Sequence, residues 1–97
     1  MHAVVRKYAA SPQALAEARP KLADLEQIMR QTPGFVAYYF LETHDGVATI
    51  TVTEDEAGTQ ESMGRAATWV RQNMPQHGAS IGAPKVTTGQ VLMSATR

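Results

Sequence analysis

The sequence predicts an α+β fold with the element order βαββαβ, and three observations carry that prediction. Two long stretches place apolar residues three and four apart, as one face of a helix requires. Four shorter stretches are rich in β-branched and aromatic residues. The middle pair of these is separated only by His44-Asp45-Gly46, where Asp-Gly accepts the positive φ angles of a tight hairpin turn.

Residues 2–9, with Val4, Val5 and Tyr8, read as the first strand. Ser11-Pro12 is a helix start: the hydroxyl caps a free amide, and the proline stands where no hydrogen bond is lost. Leu15, Ala18, Leu22, Leu25, Ile28 and Met29 carry the first helix to about Gln31, with Pro20 kinking or splitting it. Thr32-Pro33-Gly34 ends it, because the residue before a proline is barred from helical geometry. Phe35 to Glu42 and Gly46 to Glu54 are the hairpin strands. Asp55-Glu56 puts carboxylates at the positive end of a second helix running to about Met74, whose apolar stripe is Met63, Ala66, Ala67, Val70 and Met74. Residues 76–84, with Gly78, Gly82 and Pro84, form a loop before a last strand from Lys85 to Ala95.

This order is the split βαβ arrangement of ferredoxin-like domains, a four-stranded antiparallel sheet with both helices on one face. The chain of 97 residues, 43% hydrophobic and 19% charged, supports one domain spanning 1–97. Nine basic residues balance nine acidic ones, which excludes the broad basic surface that phosphate neutralisation demands, so no nucleic-acid partner is expected. The absence of cysteine excludes disulfides, thiolate zinc sites and iron–sulfur clusters. The first six residues meet a charge too soon for a leader or a membrane span, so a cytoplasmic protein without membrane contact is expected.

A two-residue Asp45-Gly46 turn sets Leu41 opposite Ile50 and Tyr39 opposite Val52, on one face with Phe35, Ala37 and Ala48. The other face carries Val36, Tyr38, Phe40, Thr49, Thr51 and Thr53. A sheet with one wet face alternates apolar and polar, and Phe35 to Leu41 does not. Both faces need cover, yet the two helices share one side. The remaining face fits the same face of a second copy, so a sheet-to-sheet homodimer is expected.

Several residues are candidates for chemistry. Trp69 lies off the predicted stripe, on a flank with Ser62, Ala66 and Asn73 at about 100° per residue. That flank is either a pocket wall, with Trp69 stacking and Ser62 and Asn73 hydrogen bonding, or ordinary packing of a large aromatic. Arg6, in a central strand, either binds an anionic or phenolate group or pairs with a carboxylate such as Glu54 or Glu61. Tyr38, beside Thr53 and on one surface with Thr51, supplies hydroxyls that orient a ligand or bond one another. His2 and His44 are expected at the surface. His77 closes the second helix, favoured there by the dipole, and is the best candidate for a general base because imidazole titrates near ~6.5. No His or carboxylate pair has metal-ligand spacing, so neither metal nor cofactor is expected. No Gly-x-Ser-x-Gly nucleophile elbow is expected, and Gly78-Ala79-Ser80-Ile81-Gly82 is too short for a phosphate loop and does not follow a strand.

The lead into the aromatic strand at Pro33-Gly34-Phe35, the run Thr51-Val52-Thr53-Glu54-Asp55, the long second helix and Val86-Thr87-Thr88-Gly89-Gln90-Val91 together resemble the antibiotic biosynthesis monooxygenase group. The resemblance implies a dimeric α/β barrel, in which two ferredoxin-like sheets meet, with a pocket between sheet and helices in each subunit. Active members of that group include cofactor-independent oxygenases acting on phenols and quinols, and relatives that degrade haem. Many carry a tryptophan where this chain has Thr53, a histidine near Ser62 and, in the haem-degrading branch, an asparagine near Arg6. Those groups are absent at the matching positions. The resemblance therefore implies a dimer binding a small aromatic or polycyclic ligand through Tyr38, Thr51, Thr53, Ser62, Trp69 and Asn73. The alternative is a cofactor-independent monooxygenase using Arg6 and His77.

Overall fold

The structure, a computed structural model, describes residues 1–97. It comprises β1 (His2–Ala9), α1 (Pro12–Ala18), a 3₁₀ turn (Arg19–Lys21), α2 (Leu22–Arg30), β2 (Phe35–Thr43), β3 (Gly46–Thr53), α3 (Glu56–Asn73), a second 3₁₀ turn (Gly78–Ser80) and β4 (Lys85–Gln90). The four strands form one antiparallel sheet in the order β2-β3-β1-β4, so β1 is central and β2 is an edge. This is the expected ferredoxin-like fold, with the helices on one face.

Local chemistry accounts for the element ends. Ser11 Oγ accepts from the Ala14 amide at 3.1 Å, with Pro12 opening α1, and Asp55 Oδ1 accepts from the Gly58 amide at 3.0 Å at the start of α3. Pro20 splits the first helix into α1 and α2 through a 3₁₀ turn, because it cannot supply an interior amide. Gly34 takes a φ of +73° in the turn leading into β2. The core lies between helices and sheet: Ala14 and Ala18 of α1, Leu25 and Met29 of α2, Trp69 of α3, and Met74 beyond it.

Four expectations are corrected. The hairpin pairs Thr43 with Gly46, so its turn is His44-Asp45, and Tyr39 faces Ile50 while Leu41 faces Ala48. The slip is by two residues, which preserves the faces but sets Tyr38 beside Thr51 instead of Thr53. A bulge between Phe35 and Ala37 turns Phe35 over, so that it pairs with Thr53 and packs against the helix-side core. The buried side of α3 is the flank Gly58, Thr59, Ser62 and Trp69, while Met63 is 45% exposed and Ala67 faces solvent. At Gly58 the helix lies against Thr53 and the Pro33 carbonyl with no room for a Cβ, and this contact turns the Gly58 flank inward and Met63 outward. Finally, β4 stops at Gln90, because its partner β1 begins at His2; one further rung joins the Val91 amide to the Met1 carbonyl at 2.9 Å.

Candidate functional site

Alternation along β1 directs Val4, Arg6 and Tyr8 to the helix side of the sheet, in register with Thr51, Thr49 and Val47 of β3. Tyr38 and Phe40 of β2 join them across Thr51 and Thr49. Above these residues lies an apolar cavity of about 60 Å³, walled by α1, α3 and the loop before β4. Its walls include Tyr8, Tyr38, Phe40, Thr49, Trp69 and, from the loop, Ile81. No His, Asp, Glu, Lys, Arg or Cys side chain lines it. A larger cleft of about 360 Å³ opens between α2 and β2, and Leu25, Tyr38 and Phe40 border both spaces.

The polar groups here are unusually isolated. Trp69 is 2% exposed, and its indole Nε1–H has no acceptor. The Thr51 hydroxyl is likewise buried without a partner. Burial, reinforced by the neighbouring Tyr8 hydroxyl, pushes the Tyr38 phenol far above the usual tyrosine range, against the opposing pull of Arg6 and Thr49. Burial also raises Tyr8, which Arg6 opposes. Both phenols are therefore neutral donors at neutral pH.

The predicted site residues do not converge on one point. Tyr38 and Trp69 line the cavity, and Thr51 lies beside Tyr38 in the sheet. Thr53 donates to the Asp55 carbonyl at 2.5 Å, where the chain turns into α3. Ser62 donates to the Thr59 carbonyl at 2.6 Å, and Asn73 Nδ2 to the Trp69 carbonyl at 3.0 Å; both bonds lie within the helix. Arg6 is 2% exposed and pairs with neither Glu54 nor Glu61; its Nη2 donates instead to the Thr59 carbonyl at 3.2 Å. The helix ends before His77, which sits in the following turn. Its Nδ1 is 3.4 Å from Glu17 Oε1, an ion-pair distance too long and too poorly directed for a hydrogen bond. His2 is half-buried rather than at the surface, with Nδ1 2.7 Å from the Thr59 hydroxyl.

Glu17 accepts from the backbone amides of Gln76 and His77 at 3.1 and 3.0 Å. Its desolvation is outweighed by these bonds and by His77, so its carboxyl lies below the ordinary range. Residues 78–82 spell Gly-x-Ser-x-Gly, yet Ser80 sits in a 3₁₀ turn with its hydroxyl donating to the His77 carbonyl at 2.6 Å. It is not on a strand-to-helix elbow. No three His, Cys, Asp or Glu side chains cluster as metal ligands. Sequence reasoning passes over Tyr8, Thr59 and Glu17, while Thr49 is read with Thr51 as one of the hydroxyls on the Tyr38 face. Tyr8 was within reach, because it lies two residues from Arg6 and therefore on the same strand face.

No family model and no curated protein sequence matches this chain. Solved structures do. A Nitrosomonas europaea protein of unknown function, NE2512, superposes with a TM-score of 0.76 at 19% identity, over 99% of this chain and 93% of that one. A putative antibiotic biosynthesis monooxygenase from Chloroflexus aurantiacus gives 0.67 at 14%, over 98% and 96%. SnoaB, a cofactor-independent oxygenase from Streptomyces nogalater, gives 0.65 at 14%, over 99% and 97%. The fold is that of the antibiotic biosynthesis monooxygenase-like proteins. At these identities the likeness extends to the fold alone.

Proposed function

We propose that this chain binds a small aromatic or polycyclic ligand, carrying an acceptor oxygen, in the cavity between sheet and helices. The observation that carries this reading is the Trp69 indole N–H, buried in a cavity wall without an acceptor. A buried donor left unmet costs about 1–3 kcal/mol, and a carbonyl or phenolic oxygen on a bound ring would recover it. The Tyr8 and Tyr38 phenols add neutral donors in an otherwise apolar enclosure. The cavity is smaller than ligand pockets, which run to roughly 300 Å³ and above. Tyr38 and Phe40 line both it and the outer cleft, and a ligand larger than the cavity would have to turn them aside and use both spaces. Trp69 is the only tryptophan, so its fluorescence reports loading directly. Titration with anthrone and with 1,4-naphthoquinone, followed by calorimetry, tests the reading. Saturable binding weakened roughly two- to tenfold in Trp69→Phe supports it. Non-saturable quenching, or an affinity unchanged in that variant, overturns it.

The working unit in this reading is a homodimer. The sheet face away from the helices carries Val5, Tyr39, Leu41, Ala48, Ile50 and Val52, with Lys7 and Lys85 at one end. Tyr39 is 56% exposed and Leu41 43%, an apolar face that a second copy would cover. Native mass spectrometry should give a dimer that Tyr39→Glu converts to monomer; a monomeric parent at micromolar concentration refutes this part.

A second reading, a cofactor-independent monooxygenase acting on a phenol or quinol, is favoured by the pull of Arg6 on Tyr8 and Tyr38. A phenol bound beside them would feel the same cation as it lost its proton. His77, held against Glu17, would be the base. Oxygen uptake with anthrone, lost in both Arg6→Ala and His77→Ala, is the expected result; uptake indifferent to both removes these residues from the chemistry.

A further inference from the structure

On the opposite side of Arg6 from the apolar cavity, a separate cleft of about 130 Å³ lies between β1, β4 and the first turns of α3, lined among others by Arg6, Thr59, Gln60 and Thr88. We propose that this cleft binds a small oxyanion, a carboxylate or phosphate group, with the Arg6 guanidinium as its anchor.

The argument begins with acceptors. Arg6 is 98% buried by its exposure of 2%, and none of the chain's ion pairs includes it. A buried guanidinium is ordinarily matched by a carboxylate and by acceptors for its several N–H groups. Here Nη2 donates to the Thr59 carbonyl at 3.2 Å, and Nε–H has no partner at all. The Thr59 carbonyl cannot serve it as well, since it already accepts from Ser62 Oγ at 2.6 Å. No acceptor of the chain bonds this N–H, and no carboxylate pairs with the one cation buried in the fold.

The surroundings complete an oxyanion site. The Thr59 hydroxyl donates its only hydrogen to the Glu56 carbonyl at 2.9 Å, so the 2.7 Å contact with His2 requires Nδ1–H of the imidazole to be the donor. His2 is thereby fixed in orientation on the cleft wall. The Gln60 amide is held only by a 3.5 Å contact with the Glu56 carboxylate, and the Thr88 hydroxyl makes no side-chain bond, leaving both free to donate. A carboxylate or phosphate presents planar or tetrahedral oxygens that match a guanidinium edge. Glu56, exposed at the rim, is the opposing charge, and it favours singly charged groups over dianions.

The test follows the Arg6 Nε–H resonance by NMR in ligand-free protein, titrated separately with acetate and with inorganic phosphate against chloride at equal ionic strength. Saturable movement of that resonance is expected. Acetate alone acting marks a carboxylate site, and both acting mark a general oxyanion site. Two rim variants at exposed positions leave the core untouched: Glu56→Gln should tighten binding about fivefold and Gln60→Glu weaken it by a similar factor. Shifts no larger than those of chloride, or identical titrations in both variants, overturn the proposal. Because the apolar cavity is empty throughout, neither result bears on the aromatic ligand.

Discussion

Replacing Gly58 by alanine should destabilise the protein even though it removes a helix-disfavouring glycine. A Cβ there would stand 2.7 Å from the Pro33 carbonyl oxygen, 2.8 Å from Thr53 Cβ and 2.9 Å from Thr53 Oγ1. None of these neighbours is the free end of a flexible side chain: one is backbone, and Thr53 is wholly buried with its hydroxyl bonded to Asp55. The helix must therefore lift from the sheet. Overpacking of this kind costs about 1–3 kcal/mol, against about 0.8–1 kcal/mol gained from alanine's helix propensity. Gly64 is the internal control, since it lies in the same helix and a Cβ there meets nothing within 4 Å. Gly64→Ala should gain close to the full propensity difference. Urea unfolding followed by circular dichroism, at one fixed protein concentration, should separate the two variants by about 1–3 kcal/mol in opposite directions. In thermal melts each kcal/mol corresponds to roughly 4–8 °C in a domain of this size. Equal stabilisation by both substitutions would show that α3 does not rest on the sheet at Gly58.

Three further outcomes are expected. Removing either cap, Ser11→Ala or Asp55→Ala, should cost about 1 kcal/mol in urea unfolding, while Asp55→Asn, which keeps an acceptor for the Gly58 amide, should cost less. Tyr38 and Tyr8 hold their protons in the folded state beyond the range where the unfolded chain loses them, so stability should fall as pH rises past ~10, and Tyr38→Phe should flatten that fall. Glu17 works in the other direction. Its folded carboxyl is more acidic than in the unfolded chain, so its contribution is complete above the ordinary glutamate range and is lost as pH drops through the lower folded value. Protection of the Gln76 and His77 amides from hydrogen exchange, taken relative to the intrinsic rate at each pH, should fall on acidification, and Glu17→Gln should remove that dependence.

How much of this was legible in the sequence depends on whether a local signal existed. Pro20, Ser11, Asp55 and Gly34 act through their own backbones or those of near neighbours, so element order, caps and the split first helix could be read directly. The rotation of α3 could not. Met63 and Ala67 draw the predicted stripe by hydrophobicity, but the helix is oriented by the close contact of Gly58 with Thr53 and the Pro33 carbonyl, which leaves no hydropathy trace. The hairpin slipped by two residues because Asp-Gly supports more than one turn register, and a two-residue slip keeps every side chain on its face. Among candidate site residues, Trp69 and Tyr38 were reached through their size and alternation. The partner of Arg6 was missed, because a main-chain carbonyl has no residue identity to search for.

The seating of α3 links the two candidate sites. Gly58 and Thr59 in its first turns touch Thr53 and Arg6, and Trp69 lies on the same side of the helix three turns later, over the apolar cavity. A helix is stiff over that length, so a shift at its first turn is carried along its axis rather than absorbed. Occupancy of the Arg6 cleft would pull on Thr59, and occupancy of the cavity would press on Trp69, with one rigid element answering both. If Gly58→Ala lifts that element, the Arg6–Thr59 bond and the Trp69 wall should loosen together. Weakened acetate binding and weakened anthrone binding in the same variant, with Gly64→Ala changing neither, is the pattern this coupling requires. Loss of one without the other would make the two sites independent tenants of the same sheet.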